Sequence, residues 1–250
     1  MKKNQSYQRI KQPKRSYTCL TGVVPVWNHF TDQSPRSELI RFESQLERNF
    51  ILKTEFCIDC CSIRRAKKIL WHDGMKNRQY TPDFDVQTWD ENKNPLKRYV
   101  VEVKRVDELE KKAAELEPKF AAMREIYEKE GIEFIIQTDE DINDDFLKNA
   151  IFLREFRRHP YLEYPLSEVY GIEKQILDLL LDLGQATPNS LLACISDDKW
   201  KRAAYLPYVW RLVCEDQICA NLLEPLTMES PLWHIDHHKE EGILWRRFLK

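Results

Sequence analysis

Residues 78–90 read RQYTPDFDVQTWD, and residues 96–105 read LKRYVVEVKR. Both stretches are short and rich in aromatic and β-branched residues. Together with residues 67–73, KKILWHD, they predict three strands joined as hairpins. Turn signals at Asp73-Gly74 and from Asp90 to Pro95 separate them. Side chains alternate along a strand, so Glu102 and Lys104 share one face. The short loop before Pro95 returns Asp83 beside that face. Two carboxylates and an ammonium therefore converge.

Oxygen ligands suit Mg²⁺, with Mn²⁺ as its substitute, because these ions keep several waters that a phosphate or nucleophile replaces. Such a metal lowers the pKa of a bound water and stabilises charge on a phosphate. Asp83 and Glu102 are the expected ligands, and Lys104 is expected to orient the attacking water and help hold it as hydroxide. Asp85 shares the strand face of Asp83 and is assigned a supporting or structural role. The bland alternative for the whole pattern is a salt-bridged pair on a sheet face.

On the N-terminal side, residues 37–56, SELIRFESQLERNFILKTEF, place Leu39, Ile40, Phe42, Leu46, Phe50 and Ile51 at roughly helical spacing and predict a helix opening near Ser37. On the C-terminal side, a charged helix is predicted from about Asp107 to Lys129, ended by Gly131 and kinked or split at Pro118. Residues 132–138, IEFIIQT, read as a strand buried on both faces. Thr138 to Asp141 read as a helix start. The later helix is a crossover between parallel strands, which places the core in the α/β class.

Three short helices are expected after about Tyr170. EKQILDLLLDLG stops at Gly184, and TPNSLLACI is capped by Thr187 with Pro188 at its first position. The third, DDKWKRAAYLPYVWRLVCEDQI, carries Pro207. ICANLL and SPLWHI follow as a two-stranded wing. This is the pattern of a winged-helix module. The expected organisation is an N-terminal arm over residues 1–35, a core domain over 36–168 and the winged-helix-like domain over 169–250.

The 250 residues sum to a net charge of −2, but the sign is unevenly spread. No acid precedes Asp32, and the arm carries Lys2, Lys3, Arg9, Lys11, Lys14 and Arg15. Such an arm either neutralises DNA phosphates without sequence preference or serves as a solubilising tail. In the third C-terminal helix Lys199, Lys201, Arg202 and Arg211 alternate with Trp200, Tyr205, Tyr208 and Trp210. Lys201 and Arg202 are candidate DNA contacts, with the aromatics expected mostly in the core. No apolar run approaches the roughly 20 residues that span a bilayer, and the first residues lack the apolar stretch of a secretory signal. The expectation is a cytoplasmic protein whose seven cysteines are free thiols. Cys57, Cys60 and Cys61 have knuckle-like spacing, with His72 a conceivable fourth donor, yet no second pair exists and buried thiols are the expectation. The His234, His237, His238 cluster is read as an exposed polar segment rather than a metal site.

The order helix, Pro82-Asp83 strand, Glu102-x-Lys104 strand, helix is the motif order of the PD-(D/E)xK nuclease superfamily, which implies a restriction-endonuclease-like core. From about Phe42 to Asn143, the runs SQLERNF, RQYTPDFDV, VVEVKR and IIQTDEDIN resemble the TnsA-type endonuclease subunit of heteromeric, Tn-seven-like transposases. That resemblance implies that Glu47, in its Ser44-x-Leu46-Glu47 context, joins Asp83, Glu102 and Lys104 in the site and lies at the metal. Some members carry glutamine where this chain has Glu102; the carboxylate kept here implies a complete metal site. It also implies cleavage of the 5′ ends of a transposon in double-stranded DNA, beside a TnsB-like DDE transposase that cuts and joins the 3′ ends. A TnsC-like AAA+ ATPase would regulate both. The implied setting is a bacterial cytoplasm, with nucleoid association during activity. Two other functions remain open: a restriction or junction-resolving nuclease with the same core, and a catalytically silent DNA-binding adaptor.

Overall fold

The computed structural model describes residues 20–28, 36–57, 59–72, 75–90, 92, 94–157, 165–237 and 248. The basic residues Lys2 to Arg15, the Asp73-Gly74 turn and His238 lie outside this set.

The chain begins with β1 (Gly22–Asn28) and β2 (Arg36–Phe42), which pair antiparallel. Two expectations change here. Residues 22–28, assigned to the arm, form a packed strand, and residues 37–42, assigned to a helix, form its partner. Alternation decides the matter: Val24, Val26, Ile40 and Phe42 point into the core, whereas Leu39 is 69% exposed. A helix would have needed Leu39 and Ile40 on one buried face. Gly22 sits opposite Phe42, and a Cβ there would fall 2.8 Å from the Phe42 ring. The helix starts only at α1 (Gln45–Glu55). Its N-cap is Ser44, whose Oγ accepts from the Glu47 amide at 3.0 Å.

Then come β3 (Cys60–Arg65), a ribbon of β4 (Ile69–His72) and β5 (Asn77–Tyr80), β6 (Phe84–Trp89) and β7 (Pro95–Lys104). α2 (Val106–Lys111) and α3 (Ala113–Glu128) lead to β8 (Glu133–Thr138). The central sheet has the order β3-β6-β7-β8, antiparallel except for the parallel pair β7 and β8. The predicted crossover is thus present. Of the three predicted strands, KKILWHD lies outside this sheet, and β3 takes the edge place instead. CCSIRR hides its strand character because thiols and arginines do not show apolar alternation. The helix breaks at Lys112 rather than at Pro118; restarting at Ala113 leaves Pro118 inside α3, where it removes a single backbone donor.

The sheet has a core on each face. Ile63, Phe84, Val86, Tyr99, Val101 and Val103 face a large cluster with Phe50 and Ile51 of α1. Val100 and Phe134 face Leu116, Phe120, Met123 and Tyr127 of α3, a buried stripe at helical spacing. β8 is an edge strand that gives Phe134 and Ile136 to one cluster and Ile135 to the other.

α4 (Asp139–Ile142) starts at Thr138 with a reciprocal capping box to Asp141, as the sequence signals. α5 (Asp145–Arg154) follows. The C-terminal part runs α6 (Leu166–Leu183), β9 (Gln185–Ala186), α7 (Pro188–Ile195), α8 (Lys199–Cys214), β10 (Ile218–Ala220) and β11 (Leu232–His234). Gly184, at φ 73°, ends α6 in a backbone region that favours glycine. The last strands form a sheet β10-β11-β9. Pro207 is carried within a continuous α8. Arg211, one of the basic residues of that helix, is buried beside Glu173 and 2.8 Å from Glu215, so it is an internal ion pair and not a surface contact. Tyr208 and Trp210 are buried as expected, but Trp200 is 74% exposed. The large core continues from α1 through α5 into α8, and Asn149 binds the carbonyls of Leu222 and Glu224.

Candidate active site

Phe84 of β6 pairs with Val101 of β7, and both enter the core on the α1 side. Alternation therefore sends Asp83 and Glu102 to the opposite face, with Lys104 next along. Asp83 is pinned at both ends: its amide donates to the Val101 carbonyl at 3.1 Å, and its Oδ2 accepts from the Val103 amide at 2.9 Å. Glu102, only 3% exposed, lies with its Oε1 2.8 Å from Lys104 Nζ. The predicted convergence of these three groups is what the structure shows.

Glu47 stands at the first turn of α1. Its Oε2 accepts from the Glu43 amide at 3.1 Å and from Arg65 Nη1 at 2.7 Å. Arg65, the last residue of β3, also reaches Asp83 Oδ1 at 3.7 Å and lies over the Phe84 ring. Arg65 thus joins the helical glutamate to the strand aspartate. Sequence reasoning missed it because β3 was not recognised, and Arg64-Arg65 reads as ordinary surface charge. Tyr80 was also missed. Its ring carries Lys119 Nζ at 5.1 Å from the centroid.

Electrostatically the carboxylates are short of positive charge. Burial and then the Glu102 charge push Asp83 up to about 6, against the pull of Lys104, the Val103 amide and Arg65. Burial and Asp83 raise Glu47 in the same way, despite Arg65. Burial works against the Lys104 ammonium, but Glu102 and Asp83 more than offset it and raise Lys104 above its usual value. Burial, followed by the charge of Glu102, holds the Tyr80 phenol far above its ordinary value, so it stays protonated. Glu102 also acts on this phenol by hydrogen bonding, although the contact falls short of full geometry. Tyr80 Oη and Glu102 Oε2 are both buried without a well-formed partner.

A hard divalent cation fits this donor set. Asp83 and Glu102 are mutually repelling carboxylates, one with an unmatched buried oxygen, and a cation held between them would relieve both conditions. Among the described residues, no group of three or more His, Cys, Asp and Glu side chains is arranged to hold a metal ion. Glu47 is turned to Arg65 rather than to a common point with the other two. Asp85 is ion-paired to Arg98, with Nε at 2.8 Å, which matches a structural role. Cys57, Cys60 and Cys61 are buried free thiols, and burial holds Cys60 well above its ordinary pKa, the opposite of what a thiolate ligand requires. Lys201 is exposed and Arg202 half-buried on α8, distant from this cluster in the chain.

The raised Asp83 has a consequence for stability. The unfolded chain ionises Asp83 near its ordinary value of 3.8, and the folded chain near 6. The folded state therefore binds more protons between these limits, and stability falls as pH rises through the window. With chelator present, Asp83→Asn is expected to exceed the wild type in stability by roughly 1–3 kcal/mol above pH 6, with the gap closing below about pH 4. Urea denaturation across this range measures it, and a pH-independent difference would contradict the electrostatic account.

A mixed sheet of this topology, with two carboxylates and a lysine gathered at β6 and β7, fits a nuclease-like core. Residues 40–139 match a protein-family model described as TnsA-like endonuclease N terminal. That stretch is TnsA-like, and it contains Glu47, Arg65, Asp83, Glu102 and Lys104. No curated protein matches the chain at a significant level. Among the described residues no helix is long and apolar enough to cross a membrane.

Proposed function

We propose that the chain is the metal-dependent endonuclease subunit of a heteromeric transposase, hydrolysing a phosphodiester at each 5′ end of the element. The observation that carries this reading is the mutually repelling pair Asp83 and Glu102 with Lys104 beside it, inside the TnsA-like stretch. Asp83 and Glu102 would hold Mg²⁺, or Mn²⁺ in its place, and Glu47, linked to Asp83 through Arg65, is the candidate third ligand. When bound, the metal supplies an activated water and charge stabilisation on the phosphate. The chain's own residues do the rest. The Val103 amide fixes the Asp83 carboxylate, and Tyr80 presents a protonated phenol to Glu102. The Lys104 ammonium, beside Glu102, would hold a water or a phosphate oxygen near the carboxylates.

The arrangement α6-β9-α7-α8-β10-β11 supports a winged-helix reading of the C-terminal part, in which Lys201 and Arg202 on α8 are candidate DNA contacts. The TnsA-like segment supports DNA of transposon ends as the substrate; the partners in this reading are a TnsB-like DDE transposase and a TnsC-like AAA+ ATPase, and its setting is the cytoplasm. The test is reconstitution on end-containing plasmid DNA. Cleavage at the 5′ ends is expected only with Mg²⁺ and the partner proteins together. Robust cutting of random duplex by this chain alone would instead make it a restriction-type enzyme.

A further inference from the structure

In the central sheet Arg65 pairs directly with Phe84. Residues 66–83 are therefore an excursion that leaves the sheet beside one site residue and returns at another. The excursion folds as the antiparallel ribbon β4–β5, which among the described residues pairs with itself and with no strand of the central sheet. One face rests on α3, where Ile69, Trp71 and Tyr80 pack against the second core. The other faces outward with Lys68, Leu70, His72, Asn77 and Gln79; Leu70 is 73% exposed, and Met75 beyond the strands is 90% exposed.

The charge of this segment departs from that of the chain. Residues 64–82 hold Arg64, Arg65, Lys67, Lys68, Lys76 and Arg78 against the single acid Asp73, six minus one, or +5. The whole chain is −2, so the remainder is −7. Lys67, Lys68, Lys76 and Arg78 are all exposed. A net acidic protein thus carries a basic two-stranded ribbon whose base is the carboxylate site itself.

We infer that the β4–β5 ribbon is a DNA-contacting element that seats duplex over Asp83, Glu102 and Lys104. The inference rests on the nuclease reading of that site. A two-stranded ribbon fits the major groove of B-DNA, about 12 Å wide. Exposed Lys and Arg neutralise phosphates on either side of such a groove, and Asn77 and Gln79 offer polar groups toward base edges. On the outward face Leu70 lies between Lys68 and His72 and opposite Gln79, a polar surround that disfavours a hydrophobic protein partner. Ile69, Trp71 and Tyr80 seat it on the core beneath α3, and its two ends join the sheet at Arg65 and Asp83, so phosphates gripped by the ribbon bring the neighbouring backbone to the site.

The test uses the full chain and a labelled duplex in chelator, read by fluorescence anisotropy over a series of salt concentrations. The variant Lys67→Ala/Lys68→Ala/Lys76→Ala/Arg78→Ala should keep the wild-type melting temperature. Its binding should be about 10-fold or more weaker at low salt, and its plot of log affinity against log salt shallower by up to about 3.6, near 0.9 for each phosphate that the variant no longer neutralises. In the reconstituted reaction its cleavage should recover as salt falls, whereas Asp83→Asn stays inactive at every salt. An unchanged salt slope overturns the proposal, as does a wild-type chain with no low-salt affinity. A photocrosslinker at Leu70 that labels only a protein partner would overturn it too. If Asp83→Asn still cleaves, the nuclease reading fails separately, and the salt slopes still decide whether the ribbon holds DNA.

Discussion

Asp83→Ala is expected to reduce end cleavage by on the order of 10⁴-fold, because it removes a carboxylate whose residue β7 holds at both its amide and its Oδ2. The fold should survive. Two effects oppose one another in this variant. The Val103 amide loses its acceptor, which costs about 1–3 kcal/mol when the donor is buried. Relief of the repulsion with Glu102 and of Asp83's own desolvation works the other way. A melting temperature near the wild type, together with absent product in the reconstituted reaction, is the expected pair of results. Asp83→Asn keeps the acceptor for Val103 and separates the chemistry from the backbone contact. Cleavage at the wild-type rate by either variant would remove Asp83 from the site.

Lys104→Ala has the second-largest expected effect, a loss of about 10²–10⁴-fold in cleavage, the range for a group that moves or holds a proton near the reacting atoms. This variant also strips Glu102 of its 2.8 Å partner and leaves it beside the Tyr80 phenol and the repelling Asp83 carboxylate. A nearly buried carboxylate without its cation is destabilising, so without metal the melting temperature should fall. Added Mg²⁺ should then raise it more in Lys104→Ala than in the wild type, because the ion replaces the missing charge. Calorimetry with and without Mg²⁺ measures this. Equal metal shifts in the two proteins would show that Glu102 is not where the cation acts.

The site was legible because its signal is local. Glu102 and Lys104 share a face through strand alternation alone, and a short connection brings Asp83 alongside, so a period of two residues and one turn suffice. The same holds for Thr138 as a cap and for Gly184 as a stop, where one residue's own chemistry decides. The C-terminal helices were legible for a similar reason, since Gly184 stops α6 and Thr187 caps α7.

Other features were settled by neighbours distant in sequence. Leu39, Ile40 and Phe42 fit a helix or a strand equally well, and the pairing of β2 with β1 chose the strand by giving Ile40 and Phe42 a core to enter. The thiols and arginines of β3 carry no periodic signal; the edge of the sheet beside β6 makes that segment a strand and brings Arg65 between Glu47 and Asp83. Arg211 reads as a surface cation, and only the packing of α8 on α6 buries it against Glu173. The sequence by itself determined which residues lie on one face of one strand. The tertiary structure decided which faces meet, because burial and ion pairing depend on contacts that no local period encodes.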